Sequence, residues 1–149
     1  MSTTNPWRHA LWAAPLTIAL LAGGVFAATM MQPQPKDLDL TLSRPTEAGL
    51  YLSTIAPADG PVSVGPMHAW TVTVTTPDGA PVEGAQIGWD GGMPQHGHGL
   101  PTSPRVTEAL GEGGYLIEGM RFNMPGWWTL TVTIDADVGT DQVTYNVVL

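Results

Sequence analysis

The chain has 149 residues, with five Lys and Arg against thirteen Asp and Glu, for a formal net charge of −8. All thirteen acids lie from Asp37 onward, and in the segment from Gln32 to the end only Lys36, Arg44, Arg105 and Arg121 oppose them, so there is no basic patch and binding to nucleic acid or to an anionic lipid surface is disfavoured. Cysteine is absent, which excludes disulfides, thiolate nucleophiles, zinc-thiolate fingers, iron–sulfur clusters and cysteine-ligated blue copper.

Residues 1–31 read as a separate unit. No charged residue occurs from His9 to Pro35, and Ala10–Met31 is a 22-residue, mostly apolar run. As a helix it reaches roughly 33 Å, enough to cross a bilayer core. Arg8 and the amino terminus form its positive flank. The run reads either as a cleaved signal peptide, with small residues at Ala22–Gly24 and Ala27, or as an uncleaved membrane anchor. Its length favours the anchor, and the lack of a polar face argues against a buried core helix. Both readings place the rest of the chain on the periplasmic or extracytoplasmic side. The stretch 32–37, rich in Gln and Pro, reads as an extended linker.

Residues 38–149 fit one domain. With 18 Gly and 14 Pro in the chain, turn-rich all-β structure suits it better than long helices. Apolar residues alternate with polar ones in Leu38–Leu40–Leu42, Trp70–Val72–Val74, Ala85–Ile87–Trp89, Trp128–Leu130–Val132–Ile134 and Val143–Tyr145–Val147. This period of two predicts strands with one face in a core. Turn signals at Pro77–Gly79, Gly113–Gly114 and Pro125–Gly126 separate them. Eight strands are predicted, at 38–43, 50–55, 67–76, 84–90, 105–109, 114–118, 127–134 and 142–148. The expected architecture is an immunoglobulin-like two-sheet sandwich of seven to eight strands, anchored by Trp70, Trp89 and Trp128.

The segment Asp90–Pro101 does not read as a strand. It holds four glycines, two prolines, His96, His98 and Met93. In extended backbone His96 and His98 project to one side, and Gly97 between them admits a close ligand. Two imidazoles and a thioether form a donor set that suits copper best. Met120, Met124, Met67 and His68 supply further donors near turns or strand ends, and the parity of His68 puts it at the end of the Trp70 row. Each residue also has a plain reading. The His-Gly-His sequence is then a solvated turn, the methionines plug the ends of the sandwich, and His68 packs or caps.

Pro77–Ala85, Met93–Gly99, Gly114–Gly119 and Phe122–Trp128 together resemble the YtkA-like domain family, which is similar to the FixH family. The resemblance runs from Val72 to Ile134, about half the chain, and its two Met-Pro motifs are its most specific part. It implies a small β-sandwich that is secreted or held at a membrane. FixH-type relatives are associated with copper supply to haem–copper oxidases, so it also permits a copper role.

Catalysis has little support. The only lysine is Lys36 in the linker, no GxSxG elbow is present, and Ser103 lies between prolines. Gly91–Gly92 and Gly113–Gly114 read as turn glycines with no helix after them to complete a phosphate cradle. The expectation is an exported, non-enzymatic copper carrier. Met93, His96 and His98 bind the ion, Met124 is the fourth ligand, and Met120, His68 and Met67 are in reserve. Copper, as Cu(I) or Cu(II), is then passed to a membrane protein or metalloenzyme. The alternative is a metal-free, membrane-anchored assembly module that presents the glycine-rich loop and an exposed Trp127 to a partner. Zinc held by the same histidines is a third reading, which leaves the methionines without a role.

Overall fold

Trp70, Val72 and Val74 are buried while Thr73 between them is exposed, and Trp128, Leu130, Val132 and Ile134 are all fully buried. These rows set the inner faces of two antiparallel sheets in the computed structural model, which describes residues 33–149. Nine strands and no helix occur among the described residues. The strands are β1 (Ser43–Pro45), β2 (Leu52–Pro57), β3 (Met67–Thr75), β4 (Gln86–Met93), β5 (His98–Gly99), β6 (Arg105–Gly111), β7 (Gly114–Arg121), β8 (Trp127–Ala136) and β9 (Gly139–Val148). One sheet runs β1-β2-β3-β7-β6 and the other β5-β4-β8-β9.

The sheets meet through aromatic contacts. Trp70 of β3 packs on Trp89 of β4 with ring centres 5.9 Å apart, and Phe122 meets Trp128 edge-on at 5.2 Å. The edge-on geometry of the second pair is one that aromatic rings favour. The three expected tryptophan anchors are all in this core. One side of the sandwich is closed by the chain around β1, where Arg44 donates to the Thr144 carbonyl at 2.7 Å and Glu47 N–H donates to the Gln142 carbonyl at 2.8 Å.

The structure departs from the sequence reading at several points. There are nine strands rather than seven or eight. The run 38–43 is not a strand, and only Ser43–Pro45 pairs there. Asp39 accepts hydrogen bonds from the N–H and hydroxyl of Thr41, at 2.9 and 2.7 Å, and this local turn displaces the ladder. Leu40 is left 52% exposed. β4 continues past Asp90 to Met93, and β5 follows, so the glycine-rich segment is a hairpin. Gly91 and Gly92 are therefore strand residues, not turn residues. A Cβ on Gly91 would strike the Thr129 carbonyl oxygen, and one on Gly92 would lie 2.5 Å from the His98 carbonyl oxygen. Trp127, expected in solvent, is only 5% exposed. Its indole donates at 2.9 Å to Asn146, a diagonal neighbour on the same face of β9.

Residues 33–37 are exposed and join no strand. The expected helix of residues 1–31 lies outside the described residues. Among the described residues, no helix is long and apolar enough to cross a membrane.

Antiparallel pairing brings distant segments to one end of the sandwich. Met67 at the start of β3 pairs with Arg121 at the end of β7. Gly92 near the end of β4 pairs with Thr129 near the start of β8. The β7–β8 connection, residues 122–126, links the two sheets at that same end.

Candidate metal centre

All seven expected donors lie at this end. Met93 closes β4 and stands opposite His98 of β5. Between them, Pro94–Gly97 form a four-residue turn in which the N–H groups of His96 and Gly97 both donate to the Met93 carbonyl, at 3.0 and 2.9 Å. Gly97 has a φ of 65°, so its glycine serves the turn itself. The turn replaces the extended backbone expected at His96, while His98 is extended as the first residue of β5.

Met93 is 1% exposed and packs in the core. Its Cε lies 2.9 Å from where a Cβ on Gly126 would stand, so the bare backbone of Gly126 leaves room for the thioether. His96 and His98 are exposed, with ring centres 5.9 Å apart. The His98 ring also contacts Trp128, at 5.8 Å and an interplanar angle of 72°. Nδ1 of His98 is 2.9 Å from the Gly99 carbonyl oxygen. A carbonyl only accepts, so Nδ1–H is the donor in this contact and Nε2 is the ring nitrogen left open to a ligand. Histidine ligands are commonly oriented in this way, by a carbonyl on the second nitrogen.

Met124 is half-buried in the β7–β8 connection. Its carbonyl accepts a hydrogen bond from Trp128 Nε1 at 3.1 Å. Gly126 exchanges two backbone hydrogen bonds with Leu149, at 2.9 and 3.1 Å, which tie the connection to the last residue.

The remaining donors belong to the other sheet. His68 and Met120 are register partners on β3 and β7, and both are buried. A bulge between His68 and Trp70 interrupts the register. Nε2 of His68 lies 2.9 Å from the Ser63 carbonyl oxygen, and its ring is 6.4 Å from that of Phe122. Phe122 and Trp128 thus form an aromatic wall with His68 on one side and His98 on the other. Met67 is 57% exposed at the rim.

A shallow open depression of ≈ 250 Å³ lies at the hairpin, lined by Met93, Pro94, His98 and Thr129 among others. A depression at the opposite end, lined by Tyr51, Val82, Glu83 and Val138 among others, contains no histidine or methionine. Among the described residues, no three His, Asp or Glu side chains converge on a common point. A third donor beside His96 and His98 is therefore not another imidazole or a carboxylate. An ion about 2.0–2.1 Å from one nitrogen of each imidazole lies about 3 Å from each ring centre. A spacing of 5.9 Å is therefore wide enough for the two rings to straddle one ion.

Sequence reasoning missed the supporting residues. In the sequence Gly126 reads as a turn residue and Trp128 as a core anchor, both inside the Phe122–Trp128 motif, and neither is assigned a part in the site. The spacing of four residues between Met124 and Trp128 was the available signal.

No curated protein and no solved structure matches this chain. The model of one family does match, over residues 51–133, which is more than half of the chain. The match takes in both Met-Pro segments and begins upstream of Val72, where the motifs of the sequence start. With its two-sheet β-sandwich and this match, the chain belongs to the YtkA-like family.

Proposed function

We propose that this protein is an exported copper carrier with an immunoglobulin-like sandwich, whose cargo is held by His96 and His98 with sulfur from Met93 and Met124. The observation that carries the reading is the pairing of Met93 with His98 across the hairpin, with the His96 ring centre 5.9 Å from that of His98. Imidazole and thioether together suit copper, and thioether sulfur favours Cu(I). The imidazoles lie in solvent, where an ion can be taken up and handed on. Met93 is buried in the core at the base of the hairpin, and Met67 stands exposed at the rim as a reserve donor. Zinc is less well served, since only two histidines are grouped and the methionines then have no role.

The apolar run Ala10–Met31 supports a single-pass anchor, or a cleaved signal, with the sandwich on the periplasmic side. The recipient is a membrane protein or metalloenzyme, and the domain binds rather than catalyses. The competing reading is a metal-free assembly module. It is favoured by Val64 and Met67, both exposed at the same end.

Titration of the full chain with Cu(I) and with Cu(II), beside the H96A/H98A variant, separates the two. One-to-one binding that the variant loses supports the carrier, and a preference for Cu(I) brings in the methionines. Equal, weak binding by both proteins leaves the assembly module.

A further inference from the structure

We infer that Trp128 is the positioning residue of this centre, holding Met124 through its indole N–H and supporting His98 on its ring. The inference rests on the copper reading above and assigns the means by which donors from two connections are held together.

Three observations meet at this residue. Its Nε1–H donates to the Met124 carbonyl at 3.1 Å, which fixes the backbone that carries one thioether. Its ring meets the His98 imidazole at 5.8 Å in a T-shaped contact. The ring itself is fully buried and braced edge-on by Phe122 at 5.2 Å. Its main chain lies in β8, which is paired on both sides by β4 and β9. A rigid indole thus touches both the β4–β5 hairpin and the β7–β8 connection. Met93 is drawn in as well, since its Cε packs at Gly126, two residues before Trp128.

Burial alone does not account for the hydrogen bond. The indole nitrogens of Trp70 and Trp89 are also buried, and among the described residues they have no partner. Trp128 spends its donor on the one loop that carries Met124. Residues that orient metal ligands in this way are commonly worth 10- to 100-fold in affinity, because they hold the donors in place before the ion arrives.

The test is a Cu(I) competition titration of the full chain as wild type, W128F, M124L and W128F/M124L. Phenylalanine keeps a ring against Phe122 and His98 and removes the N–H. W128F is expected to weaken Cu(I) binding by about 10- to 100-fold, with the double variant no weaker than M124L alone. Residues that act through one another are non-additive in this way, and a general loss of stability does not reproduce that pattern. Additive losses overturn the inference while leaving the copper reading in place. A wild-type chain that takes up no Cu(I) overturns both. A second readout does not depend on a folded variant. In wild-type protein, Cu(I) is expected to shift the indole N–H resonance of Trp128 and leave those of Trp70 and Trp89 in place. A Trp128 resonance unmoved at saturation also overturns the inference.

Discussion

Met93 and His98 are register partners across the β4–β5 hairpin, yet one is buried and the other lies in solvent. Directly opposed residues of an antiparallel pair carry their side chains on one face. Both therefore point toward the inner side of the sheet. β5 has only two residues, and at its end the core runs out, so His98 overhangs the rim and leans on Trp128 while Met93 fills the space beneath.

This relationship separates packing from chemistry at position 93. M93L keeps volume and apolarity, and a swap of this kind costs less than about 1.5 kcal/mol. M93A leaves a cavity in the core and costs about 2–5 kcal/mol. On the carrier reading, M93L loses at least tenfold in Cu(I) affinity while its denaturation midpoint stays near wild type. Unchanged affinity in M93L would make Met93 a packing residue alone.

Gly126 has a φ of 127°, a conformation that side chains rarely adopt. A Cβ there meets Met93 Cε at 2.9 Å. The contact is with a flexible terminus that can move, so the backbone strain dominates, at about 1–3 kcal/mol for G126A. The steric part is shared with Met93. In urea denaturation, G126A and M93A together are expected to cost less than the sum of the two, since alanine at 93 vacates the contested space.

The β6–β7 hairpin turns on Glu112 and Gly113, with φ of 52° and 73°. Two positive φ values are what a two-residue type I′ turn requires, and Asn-Gly is its favoured sequence. Glu112 is a non-glycine residue with positive φ, so E112N is expected to stabilise by up to about 1 kcal/mol. G113A is expected to act the other way, by about 1–3 kcal/mol, because its Cβ would strike the Val74 carbonyl oxygen. Thermal melting of both variants reads these signs directly.

Asp141 on β9 contributes to the pH dependence of stability. Burial raises its pKa, but hydrogen bonds from the Thr46 side chain and from the N–H groups of Ala48, Gln142 and Leu50 outweigh it and hold the carboxyl below its ordinary value. Those N–H groups lie 2.8–3.2 Å from its oxygens. A carboxylate with a depressed folded pKa contributes stability above its unfolded value, near ~3.9, and loses it as pH falls through the folded one. D141N is expected to be less stable than wild type at neutral pH and to show a flatter acid limb. Asp141 lies at the end of the sandwich away from the hairpin, so Cu(I) affinity is expected to stay unchanged. A D141N acid limb as steep as that of wild type would assign the acid sensitivity to other carboxylates.

The clearest rows in the sequence are those in which bulky residues alternate with threonine. In 70–75 and 128–134 each step carries a side chain that reports its face, and those rows are core strands in the structure. The end of β4 was not legible, because Gly91 and Gly92 have no side chain to alternate. Glycine is needed there for close backbone approach, the same feature that hides the strand. The run Leu38–Leu42 misled for the opposite reason. Its alternation is regular, but the carboxylate of Asp39 bonds its own neighbour Thr41.

The types of donor could be read from the sequence, which also determined the absence of thiols, the lack of a basic patch and the apolar rows that force two sheets together. Tertiary structure decided which donors share a place. Met67 and His68, Met93 to His98, and Met120 to Met124 are far apart along the chain. Antiparallel register carries the start of β3, the end of β4, the end of β7 and the start of β8 to one rim. How deep each methionine sits at that rim is set by packing between sheets, which local periodicity does not encode.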